Sequence, residues 1–158
     1  SFDGFGVLVQ LNPEAKLPRK DEDWLWISEQ WPAETRAAAK RDKQMSSSYL
    51  ETLAAVIAIE HAGPRFANRR IRLHSDCMAT VELLNRGYSA NAPMAALLRR
   101  AADVARRHRF SVHSVHVPGE RNSLCDALSR ARQDQDSLDK FLVLSGLSES
   151  SRTRHPGI

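Results

Sequence analysis

The first hydrophobic block, Phe5 to Leu11 (FGVLVQL), is entered through Gly4 and Gly6 and stopped by Asn12-Pro13, which predicts a strand. A polar, Pro-punctuated loop follows, and Asp23 to Ser28 (DWLWIS) then alternates large side chains as a second strand does, so the two are expected to pair antiparallel. Pro32 to Gln44 is rich in Ala and charge and predicts a helix. Tyr49 to Ala62 (YLETLAAVIAIEHA) is apolar on nearly every side and is stopped by Gly63-Pro64, the pattern of a buried helix. Ile71 to Ser75 reads as a strand, Cys77 to Arg86 as a helix ended by Gly87, and Pro93 to His108 as a helix with a basic outer face. Phe110 to Val117 (FSVHSVHV) alternates as a strand, and Pro118-Gly119 turns the chain into a last helix starting near Asn122. The order β-β-α-β-α-α-β-α predicts an α/β fold, a mixed sheet with helices on both faces. Beyond Arg130 the runs RQDQDS and SESSRTRHPGI read as linker around a short apolar island, FLVLSGL, so 1–130 is expected as the domain and 131–158 as a tail.

Composition narrows the class. A chain of 158 residues, 42% hydrophobic and 27% charged, has the balance of one globular domain. Its longest apolar run, Leu53 to Ile59, falls far short of the roughly 18 residues a bilayer span needs, so no membrane segment is expected. The opening SFDGFGVLVQ has neither an initiating Met nor a secretion signal, and is expected to be an internal piece of a longer polypeptide. Cys77 and Cys125 lack metal-ligand spacing, which argues against a zinc module or a disulfide scaffold and sets a reducing intracellular location, cytoplasmic or nuclear, as the expectation. The net charge is only +4, but 14 basic residues stand against 6 acidic ones between Arg36 and Arg109. That excess fits a polyanionic partner, nucleic acid before membrane, or a solvated Arg-rich surface. Arg99, Arg100, Arg106 and Arg107 are the candidate phosphate-facing ridge.

Three carboxylates, Glu51, Asp76 and Asp126, sit at the ends or starts of predicted elements in apolar surroundings with no evident local cation. Each has a plain structural reading. Ser48-x-x-Glu51 matches a capping box, Asp76 holds an N-cap position, and Asp126 shares a polar helical stripe with Asn122, Ser129 and Gln133. Read together, they are three acids that the fold can bring to one point. Crowded carboxylates repel one another and attract hard divalent cations such as Mg²⁺, and a pair of such ions can activate water and stabilise the leaving oxygen of a phosphodiester.

The string HVPGERNSLCDALSR (His116 to Arg130), preceded by IRLHSD (Ile71 to Asp76) and SSSYLETLAAVIAI (Ser46 to Ile59), resembles the ribonuclease H domain of retroelement reverse transcriptases over roughly the first 130 residues. V-P-G-x-x-N followed by D-x-L-S-R is the specific part. The resemblance implies a ribonuclease-H-like fold in which Glu51, Asp76 and Asp126 are metal-binding catalytic acids, Ser47 and Ser48 approach the hybrid backbone, and Arg121 stands near the mouth of the site. The implied reaction is hydrolysis of the RNA strand of an RNA–DNA hybrid with two Mg²⁺ ions, or Mn²⁺ in their place, beside reverse transcriptase domains of the same polyprotein. Recognition by shape and 2′-hydroxyl contacts suits that substrate.

The sequence also departs from the family. Its opening pattern resembles D-A-S-x-x-G-F-G, of which Ser1-Phe2-Asp3-Gly4-Phe5-Gly6 carries only the latter part, so the opening strand and the first catalytic Asp are expected to lie before Ser1. The catalytic-loop His of cellular relatives has no counterpart in Pro118-Gly119-Glu120-Arg121, and His116 belongs to the strand. His113 and His116, three apart on a strand, face opposite sides and make no metal pair. A non-catalytic ribonuclease-H-like module that binds nucleic acid or joins neighbouring domains is the competing expectation. A transposase or integrase core expects Glu as its last acid, against Asp126.

Overall fold

A computed structural model describes residues 3–42 and 47–153. Ser1, Phe2 and Ser46, which contribute to the motifs above, lie outside the described residues, as does the end of the segment 32–44. The elements run β1 (Gly4–Gln10), β2 (Trp24–Gln30), α1 (Ala33–Arg41), α2 (Ser47–Ala62), β3 (Arg70–Ser75), α3 (Met78–Arg86), α4 (Ala92–His108), β4 (Ser111–His116), α5 (Ser123–Arg130) and α6 (Gln135–Ser145). The expected α/β class is present, with the mixed sheet in two pairs: β1 antiparallel to β2, and β3 parallel to β4. Each pair belongs to its own compact unit.

The first unit joins the N-terminal residues to those after Asn122. Here β1 and β2 pair in register from Gly4 opposite Gln30 to Gln10 opposite Trp24, and α5 packs on β1. The approach is close because β1 offers glycine: a Cβ on Gly6 would collide with the Leu128 Cβ and lie 2.6 Å from the Cys125 carbonyl oxygen. Trp26, Leu128 and Phe141 are fully buried in one cluster with Ala127, Ala131, Leu138 and Leu147.

That cluster corrects the reading of 131–158 as linker over residues 131–153, while 154–158 lie outside the described residues. Residues 135–145 form α6, with Asp134 as N-cap accepting from the Asp136 N–H, and Gly146 ending it at φ 69°. The buried positions Leu138, Phe141 and Ser145 recur at helical spacing. Farther on, Trp26 donates its indole N–H to the Ser148 carbonyl at 3.1 Å, and the Thr153 N–H bonds to the Trp26 carbonyl at 2.9 Å. Burial of Phe141 against Trp26, rings 5.2 Å apart, supplies the apolar driving force the composition concealed.

The second unit spans 34–122. Val56 and Ile59 of α2 pack with Leu97, Leu98 and Ala101 of α4, and with Ile71, Leu73 and Val112 from one face of β3 and β4. The opposite face of this parallel pair exposes Arg70, Arg72 and His74 beside Ser111 and His113. His113 and His116 thus project to opposite sides, as the strand period requires. Asn85 of α3 covers the outer edge of β4: its Nδ2 donates to the Ser114 carbonyl and its Oδ1 accepts from the Ser114 N–H, both at 2.8 Å. The amide side chain so imitates a neighbouring strand and satisfies backbone groups that an open edge would leave unpaired.

Candidate active site

The carboxyl ends of two parallel strands are where open α/β sheets collect ligand-binding residues. In the second unit that end carries most of the residues singled out from sequence. Asp76 follows directly on β3, and the chain leaving β4 is tied to the same place because the Val117 N–H donates to the Ser75 carbonyl at 3.0 Å. The Pro118-Gly119-Glu120-Arg121 segment then closes a 3₁₀ turn, with the Arg121 N–H on the Pro118 carbonyl at 2.8 Å, and Arg121 is exposed.

The start of α2 meets the start of α3 through two fully buried hydroxyls. Thr52 Oγ1 lies 3.0 Å from Thr80 Oγ1 and donates its only proton to the Ser48 carbonyl at 2.7 Å. Thr80 is therefore the donor between the two threonines. Glu51 directly precedes Thr52, and Asp76 stands one helical turn before Thr80, so this contact draws the two acid-bearing ends together. Ser47, exposed, and Ser48, half-buried, occupy the same first turn of α2. Sequence reasoning missed the Thr52–Thr80 pair. The available signal was a threonine within a turn of each candidate acid.

Two cap assignments need correction. The helix α2 is described from Ser47, so Ser48 is already helical and is not its N-cap. Its carbonyl instead receives the Thr52 hydroxyl. Asp76 is not the N-cap of α3 either: Cys77 is, and the turn is held by the Cys77 N–H on Ser75 Oγ at 3.1 Å. Asp76 is exposed and has no hydrogen-bond or ion-pair partner among the described residues.

Asp126 lies in the first unit, on α5. It has a local cation after all, Arg130 at 3.0 Å one turn on, and both side chains are more than half exposed. Its expected polar stripe is broken, because Ser129 is buried against β1 and turns its hydroxyl to the Asp126 carbonyl at 2.8 Å. The carboxylates are hard oxygen donors suited to Mg²⁺ in kind. Among the described residues of either unit, no three His, Cys, Asp or Glu side chains gather as a metal site. Cys77 and Cys125 are half-buried and are not joined in a disulfide.

No described helix is long and apolar enough to cross a membrane. A family model described as "Reverse transcriptase-like" matches residues 33–132, which contain Glu51, Asp76, Arg121 and Asp126. Searches of curated proteins and of solved structures returned no match. The match covers more than half of the chain, and with the α/β elements in the order described it places the protein in the reverse transcriptase-like family, as a ribonuclease-H-like domain of a retroelement polyprotein.

Proposed function

We propose that this domain hydrolyses the RNA strand of RNA–DNA hybrids, with Glu51, Asp76 and Asp126 as the metal-binding catalytic acids. The observation that carries the reading is the Thr52–Thr80 contact, which holds the Glu51 and Asp76 ends of their elements together at the carboxyl end of the parallel strands. Bound Mg²⁺, or Mn²⁺, would supply an activated water and neutralise charge on the leaving oxygen. Within the chain, Glu51 and Asp76 hold negative charge where a dication is wanted. Ser47 and Ser48 offer hydroxyls from the first turn of α2, and Arg121 offers a guanidinium suited to a backbone phosphate. An exposed i,i+4 pair such as Asp126–Arg130 is worth only about 0.3–0.5 kcal/mol, so a dication can take Asp126 from Arg130 at little cost.

Glu51→Gln separates catalysis from folding. The amide keeps the shape and hydrogen-bonding reach of the side chain but not its charge, so the melting temperature should stay within a degree or two or rise slightly as carboxylate repulsion is relieved. In a chain that also carries the upstream Asp implied by the resemblance, cleavage of a labelled hybrid should fall by at least about 100-fold, more than the loss of an outer-shell group costs, and the Mg²⁺-induced rise in melting temperature should shrink. Unchanged cleavage by Glu51→Gln would remove Glu51 from the catalytic set.

The competing reading, a non-catalytic nucleic-acid-binding or structural module, draws support from the Asp126–Arg130 pair, which gives that carboxylate a partner within its own helix. Hybrid binding without metal-dependent cleavage by a chain that also carries the upstream Asp implied by the resemblance, and without a Mg²⁺-induced thermal shift, would favour it.

A further inference from the structure

The end of the second unit remote from Glu51 and Asp76 is built of two turns. One leads from α2 into β3 and the other from α4 into β4. They are bonded to each other: the Asn68 N–H donates to the His108 carbonyl at 3.2 Å and the Ser111 N–H to the Arg69 carbonyl at 3.1 Å. They are also packed together, since a Cβ on Gly63 would stand 2.6 Å from the Phe110 ring. Six arginines project from these turns and their flanks: Arg65, Arg69, Arg70, Arg106, Arg107 and Arg109, all exposed. No acidic residue occurs in 61–75 or in 104–119. Among the described residues only Arg106 of the six has an acidic partner, Asp103 at a loose 3.8 Å. Arg100 shows what a neutralised arginine looks like on the same helix: it makes two 2.8 Å bonds to Glu60, which raise its pKa further.

Folding alone does not account for the cluster. Cations in the last turn of α4 favour the helix dipole, which explains Arg106 and Arg107. Arg65, Arg69 and Arg70 lie in a turn and a strand start, where that argument does not apply. Six guanidinium groups on two interlocked turns repel one another unless an anion sits among them. Arginine is the side chain whose planar fork pairs bidentately with phosphate oxygens.

We propose that this arginine pole is a second nucleic-acid contact, a docking surface for the phosphodiester backbone of a duplex, distinct from the carboxylate pole. β3 links the two, with Arg70 at its start and Asp76 just past its end, so a six-residue strand separates them by about 20 Å. At ~3.4 Å per nucleotide step that is about six steps of duplex. The proposal extends the nucleic-acid reading given above, yet it requires neither metal nor hydrolysis.

The test is fluorescence anisotropy with the full 158-residue chain and a labelled RNA–DNA hybrid in EDTA, over a range of salt. Arg69→Ala/Arg70→Ala/Arg107→Ala should weaken binding at least tenfold at low salt and flatten the slope of log K against log salt by about 2–3. The corresponding triple Lys variant should keep the slope. Hydrogen exchange on the unaltered protein gives a readout independent of any variant's folding, with added hybrid expected to protect amides in 65–72 and 106–111. An unchanged affinity and slope in the triple Ala variant, or protection confined to 47–51 and 76–80, would overturn the proposal. So would displacement of the hybrid by polyglutamate of equal charge at equal concentration, which would assign the pole to an acidic protein segment. Because binding is read in EDTA, a loss of binding here with unaffected cleavage in Glu51→Gln would remove Glu51 from the catalytic set and leave the arginine pole standing, whereas a loss of binding here with no metal-dependent cleavage at all would sink only the hydrolytic reading.

Discussion

Thr52 Oγ1 and Thr80 Oγ1 sit 3.0 Å apart with no solvent exposure, and the proton inventory makes their bond directional. Thr52 spends its proton on Ser48, and Thr80 has only Thr52 to donate to among the described residues. The two removals are therefore unequal. Thr80→Val should cost about 1 kcal/mol, whereas Thr52→Val strands the buried Thr80 hydroxyl and should cost about 2–3 kcal/mol. The double variant should cost less than the sum. Urea denaturation of all three checks this, and equal losses would contradict the assigned direction.

Gly6 is a second point where one atom decides packing. Its ideal Cβ would meet the Leu128 Cβ, the Cys125 carbonyl and the Ser129 N–H, all within 2.7 Å, and two of these are backbone atoms of α5. Gly6→Ala must push the helix away from β1 and should cost about 3 kcal/mol. A melting temperature unchanged from that of the unaltered protein would show that α5 is not seated on β1 as described.

Phe141 tests the fold of the C-terminal segment. It is fully buried against Trp26, so Phe141→Ala should destabilise by about 3–5 kcal/mol and shift Trp emission to the red. Val143→Ala, on the exposed side of the same helix, should be nearly silent. If Phe141→Ala were equally silent, residues 135–145 would behave as the linker their composition suggested.

Most element positions were legible from sequence because periodicity and punctuation agreed. Gly63-Pro64 ended α2, Gly87 ended α3 at φ 76°, and Asn91 capped α4 by accepting from the Met94 N–H. The helix α6 was hidden because Val143 and Leu144 are apolar yet exposed, which blurs the Leu138, Phe141, Ser145 stripe into a featureless run. Site residues at strand and helix ends were legible in kind but not in detail. A one-residue shift moves Asp76 off the cap of α3, and the helix start at Ser47 takes Ser48 inside α2. The Thr52–Thr80 bond joins residues 28 apart, and α2 is apolar almost all round, so nothing local indicates which of its faces meets α3.

Asp21 gives the first unit a defined acid response. Its carboxylate accepts from the Ser148 hydroxyl, from the Ser148 N–H at 2.8 Å and from the Ser150 hydroxyl at 2.9 Å. These bonds, led by the Ser148 hydroxyl, lower its pKa from 3.8 to about 2. A folded-state pKa below the unfolded value contributes stability that is complete above the unfolded pKa and is lost as pH falls through the folded one. The turn at Ser148 to Ser151 should therefore loosen between about pH 4 and pH 2, and solvent screening at this exposed site keeps the effect modest. Ser148 also accepts the Trp26 indole N–H, so Trp fluorescence reports the loosening. Asp21→Asn should be less stable than the unaltered protein at pH 6 and should lose that part of the pH dependence. Parallel acid titrations of the two proteins down to pH 2 would show instead that the Asp21–Ser148 bonds carry no part of the acid response.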